Sequence, residues 1–69
     1  MNSEIIFLIE NSIEGGYEAK ALGHSIYTEA DTIDELKNMI RDALICHFNE
    51  HERPKIIRLH FVKEEVIAA

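Results

Sequence analysis

Between Thr32 and Asn49 the side chains of this chain fall into a repeat of three and four places. Ile33, Leu36, Ile40, Ala43, Leu44 and His47 form one stripe, flanked by Met39, Cys46 and Phe48. That spacing is the signature of a helix with one buried face. Thr32-Ile33-Asp34-Glu35 marks its start as a capping box. In such a box the threonine hydroxyl accepts from a backbone N–H, and the glutamate reaches back to the N–H of the capping residue. Asp34 and Glu35 also sit at the positive end of the helix dipole, where carboxylates are favoured. Pro54 holds Arg53 away from helical angles, so the helix is expected to end near Asn49 to His51. One long helix needs a cover for its apolar stripe, and the remaining segments have to provide it.

Those segments read as strands. Ser3 to Glu10, rich in Ile and Phe, is expected to be a central strand buried on both faces. Asn11 to Gly16 is a turn whose paired glycines suit the positive φ of a hairpin connection. Tyr17 to Leu22 alternates, with Tyr17, Ala19 and Ala21 on one side and Glu18 and Lys20 on the other. Gly23-His24 turns the chain into a third strand, Ser25 to Ala30, with Ile26, Thr28 and Ala30 inward. Lys55 to Lys63 is the last strand; Ile57, Leu59 and Phe61 point one way, Arg58 and His60 the other. The fold class is therefore α+β, in the order βββαβ, with one helix packed on a mostly antiparallel four-stranded sheet in a single domain spanning 1–69. The helix covers one sheet face. Ile6, Leu8, Leu22, Tyr27 and Val62 fall on the other, and are the expected interface of a homodimer or higher homo-oligomer.

Composition narrows the function. Thirteen acidic residues against seven basic ones give a net charge of −6, which disfavours direct binding to nucleic acid and favours a basic partner. Cys46 is the only cysteine, which fits a reducing compartment. The start lacks a basic leader, and its apolar run is short, from Ile5 to Ile9, so a cytoplasmic location without a membrane segment is expected. The motifs of nucleotide-binding, serine-hydrolase and dithiol enzymes are missing. His24 and Ser25 are neighbours whose side chains point to opposite sides of a strand, which keeps them from acting as base and nucleophile. A chain this small leaves little room for a ligand pocket of about 300 Å³. No enzyme activity and no cofactor are expected. His47 and His51 stand four apart, a metal-ligand spacing to which Cys46 could add a thiolate. Against that alternative, His47 suits the core edge and His51 suits the negative end of the helix, so no metal is expected.

Gly15-Gly16-Tyr17, followed after a short strand by Thr32-Ile33-Asp34-Glu35-Leu36, carries a family likeness. Over Ile5 to Phe48, and again in the last strand, the chain resembles the N-terminal domain of HicB-type antitoxins. The resemblance implies a degenerate ribonuclease-H-like or double-stranded-RNA-binding-like sheet-and-helix module. In complete antitoxins it masks a small, basic, RNA-cleaving HicA-type toxin. A basic partner of this kind is expected to bind at the sheet edge or at the hairpin of Glu14, Gly15, Gly16, Tyr17 and Glu18. Two departures are evident. The proline-containing second turn of the family is shortened here to Ala21-Leu22-Gly23-His24-Ser25, and no residues are left over for the DNA-binding domain of complete antitoxins. DNA binding is therefore not expected, and an orphan homo-oligomeric regulatory or structural protein is the alternative reading.

Overall fold

The computed structural model describes residues 4–63 and 67–69. The element order is β1 (Glu4–Asn11), β2 (Tyr17–Ala21), β3 (Tyr27–Ala30), α1 (Ile33–His47) and β4 (Ile56–Phe61). The four strands make one sheet in the order β3-β2-β1-β4. β1–β2 and β2–β3 are antiparallel, and β4 lies parallel to β1. The α+β fold read from the sequence is the fold observed.

The core lies between α1 and one sheet face. Ile5, Phe7 and Ile9 of β1, Ala19 and Ala21 of β2, and Leu36, Ile40 and Leu44 of α1 are buried together. Each large apolar side chain taken from water contributes about 1.5–3 kcal/mol, so these few residues supply most of the driving force. The methyl groups of Ala19 and Ala21 let the helix lie close, and α1 runs over β2 and β3 rather than over β4.

Two expectations are corrected. β1 is not buried on both faces: Ile6 and Leu8 alternate with the buried residues and are only half-buried, because among the described residues α1 is the one second layer. The helix also stops at His47, earlier than the end near Asn49 to His51 expected from Pro54. Phe48 leaves helical angles (φ −118°, ψ 146°) while its N–H still donates to Leu44 O. Asn49 then starts a separate turn, its carbonyl accepting from the N–H groups of Glu52 and Arg53. The side chain of Phe48 explains the break. Extended backbone at this position lays the ring against the core and edge-on to His24 and His47, with centroids 5.2 and 4.9 Å away. The N-terminal cap is formed, with Glu35 N–H donating to Thr32 Oγ1 at 3.1 Å.

Candidate functional site

The hairpin between β1 and β2 is closed by two backbone bonds, Ser12 N–H to Gly16 O and Gly15 N–H to Ser12 O. Both glycines have positive φ, +98° at Gly15 and +84° at Gly16. Gly16 carries a second constraint, since a Cβ there would lie 2.6 Å from Ala30 O. The loop therefore bends onto the end of β3, and only a residue without a side chain permits the approach. Tyr17, the first residue of β2, is half-buried against the core.

Bending the loop in this way leaves a groove between the hairpin, the end of β3 and the first turns of α1. Its volume is about 540 Å³. Gly15 and Tyr17 form one wall, Glu29 and Asp31 the end, and Glu35, Asn38 and Met39 the other wall. It is larger than the chain's size suggests because it is an open surface groove rather than a void in the core. Among the described residues no lysine or arginine lines it, so the carboxylates of Asp31 and Glu35 stand at the groove without a neighbouring cation in its walls, while that of Glu29 turns to the other sheet face beside Tyr27. Met39 adds an exposed apolar surface beside them. This combination can hold an ammonium or guanidinium group together with the aliphatic stem that carries it.

The hairpin residues singled out from sequence divide. Gly15 and Tyr17 line the groove, Gly16 shapes it, and Glu14 is exposed at the loop. Glu18 turns to the opposite sheet face, where it accepts from the Tyr27 hydroxyl at 2.7 Å. Glu29 accepts from the same hydroxyl at 3.3 Å. The hydrogen bond to Glu18, with some desolvation and the charges of Glu18 and Glu29, pushes the Tyr27 phenol up to about 12. The sequence reads Glu35 only as part of the helix cap and assigns Asp31 no role, although the density of acidic residues around the helix start is visible as EADTIDE.

The proposed interface residues do share the face away from α1. Ile6 and Leu8 are half-buried there, while Leu22, Tyr27 and Val62 are 46%, 57% and 47% exposed. Ile56 belongs to the same face. The apolar surface is interrupted by polar pairs, Tyr27 with Glu18, and Arg58 with Glu4 in a two-pronged ion pair at 2.9 and 3.2 Å. The histidine spacing loses its basis, because α1 ends at His47 and His51 lies in the following turn. The ring of His47 meets His24 instead, at 6.0 Å between centroids. Cys46 is exposed, and among the described residues no three His, Cys, Asp or Glu side chains are grouped to hold a metal ion.

Two relatives place the chain. A UPF0150 protein of Archaeoglobus fulgidus is 56% identical over 52 residues, covering 75% of this chain and 77% of its own. A UPF0150 protein of Thermotoga maritima is 46% identical over 65 residues, covering 94% of this chain and 91% of its own. The chain belongs to the UPF0150 family. No family model matches it, and no solved structure does. Among the described residues of this UPF0150 chain, no helix is long and apolar enough to cross a membrane.

Proposed function

We propose that this UPF0150 chain is a non-catalytic protein-binding module whose acidic groove receives a basic segment of a small partner. The HicB-type likeness of its hairpin and helix start supplies the class of partner: a basic, RNA-cleaving toxin of the HicA type, held and masked. The observation that carries the reading is the groove beside Gly15 and Tyr17, where Asp31 and Glu35 stand next to the exposed Met39. A net charge of −6 supports it by drawing a basic protein into encounter.

The test is co-expression of the full chain with a HicA-type toxin, together with affinity capture of the complex. The module is expected to relieve growth arrest and to bind with an affinity that falls as salt rises. Charge reversal at Asp31 and Glu35 is expected to weaken capture, whereas reversal of Glu18 on the opposite face leaves it nearly unchanged. Persistent arrest, with the tagged chain recovering only itself, would refute the antitoxin reading and favour an orphan homo-oligomer.

A further inference from the structure

Among the described residues the sheet has two open edges, β3 and β4. β3 is the shorter, four residues against six, and carries Glu29 with Asp31 just beyond it. β4 has the sequence Ile-Ile-Arg-Leu-His-Phe, the one strand here without an acidic residue. Short or charged edges resist pairing, and long apolar ones invite it. Val62 N–H donates to Ile9 O, so the even-numbered residues at this end of β4 turn their backbone groups toward β1. The N–H and C=O groups of Ile57, Leu59 and Phe61 consequently face the open edge. Their side chains lie on the helix side of the sheet, yet α1 runs over β2 and β3 and leaves them part-covered. Phe61 is 59% exposed. A groove of about 200 Å³, lined by Ile40, Ile57 and Leu59 with Lys37 and Arg41 above, opens between α1 and this strand.

We infer that β4 is the interface with a second copy of this chain, antiparallel about a two-fold axis perpendicular to the sheet. The register follows from the side chains. With Leu59 opposite the partner subunit's Leu59, and Ile57 opposite the partner subunit's Phe61, every outward N–H and C=O of the strand is paired. The same register places apolar against apolar on the helix side, with the partner subunit's Phe61 at the mouth of the groove. Sliding the strands by two residues toward the start of β4 sets Arg58 against the partner subunit's Arg58, which like-charge repulsion disfavours. In the preferred register Arg58 faces the partner subunit's His60, and Glu4 already balances the Arg58 charge. The same register sets Lys55 opposite the partner subunit's Lys63, but both lie beyond the ends of β4, where no ladder bonds hold the two side chains together. Two acidic molecules thus meet along their least acidic edge. The result is one eight-stranded sheet with both helices on the same side, and isologous pairing of this kind closes without forming fibres. The acidic groove, at the β3 end, stays open in both copies.

The test is sedimentation equilibrium of the full chain at micromolar concentration, with amide exchange measured residue by residue. The wild type is expected to sediment at twice 7.9 kDa. The amides of Ile57, Leu59 and Phe61 are expected to gain protection as concentration rises, because only pairing covers them. Phe61→Lys is expected to weaken association at least about 100-fold, since two copies of the ring lose their burial. Leu22→Lys on the outer face leaves association unchanged. A monomer throughout, outward amides that exchange freely in a dimer, or a dimer lost on Leu22→Lys and kept on Phe61→Lys would each overturn the assignment. None of these outcomes depends on whether a basic partner binds.

Discussion

Gly15 and Gly16 are adjacent and both have positive φ, yet replacing them with alanine should have unequal effects. At Gly15 an added Cβ meets nothing within 4 Å, so Gly15→Ala bears only the backbone strain of the left-handed region. That strain is about 1–2 kcal/mol for a residue with a side chain. At Gly16 the same strain is joined by a contact of 2.6 Å to Ala30 O, well inside van der Waals distance and against backbone that cannot swing away. The loop must lift from β3, and the combined cost is about 3 kcal/mol or more. A domain of this length is stable by only about 3–10 kcal/mol, so Gly16→Ala removes a large part of the total. At about 4–8 °C per kcal/mol, Gly15→Ala should lower Tm by about 5–15 °C and Gly16→Ala by about 12–24 °C. Thermal melts followed by circular dichroism, at matched chain concentrations, read the difference directly. Equal shifts, or a larger loss at Gly15, would show that the hairpin does not rest on β3 as described.

Three further outcomes follow from single side chains. Thr32→Ala removes the oxygen that accepts from Glu35 N–H and should cost about 1 kcal/mol in urea unfolding; an unchanged midpoint would contradict the cap. Thr28 is 8% exposed, and its Oγ1 makes no hydrogen bond among the described residues. Thr28→Val keeps the shape, removes a buried hydroxyl and should raise stability by about 1 kcal/mol, whereas a lower melting temperature would count against an orphaned hydroxyl. The Tyr27 phenol, raised from 10.0 to about 12 chiefly by its bond to Glu18, binds its proton more tightly in the folded chain. Its contribution to stability is therefore complete below pH 10 and lost as pH rises toward 12. Ultraviolet difference titration should show one tyrosine ionising late, and Glu18→Gln should bring that transition down.

The elements legible in the sequence were those set by local rules. The cap at Thr32, the alternation of Tyr17 to Ala21 and the inward trio Ile26, Thr28 and Ala30 each depend on near neighbours, and each is found. The helix end differs from expectation because Pro54 bars helical angles only at Arg53, while the break comes earlier, from Phe48 packing against the core and His24, a contact between distant segments. The exposure of Ile6 and Leu8 depends on how many layers cover the sheet, which no single strand encodes. The acidic groove was out of reach for a related reason. Its walls come from Gly15 and Tyr17, from Glu29 and Asp31, and from Glu35 to Met39, and only the bend at Gly16 brings them together.

The parallel placement of β4 beside β1 also fixes the order in which the molecule can assemble. β1 and β2 meet across a short turn, at a loop-closure cost of about 1.5 kcal/mol. Glu4 and Ile56 lie roughly 50 residues apart in the chain, and bringing them together costs about 3.5 kcal/mol before any contact is gained. The three-stranded meander with its helix is therefore the early structure, and β4 docks onto it late. Until then the edge of β1 that bears Ile5, Phe7 and Ile9 stands unpaired, ready to accept a matching strand from any chain that offers one.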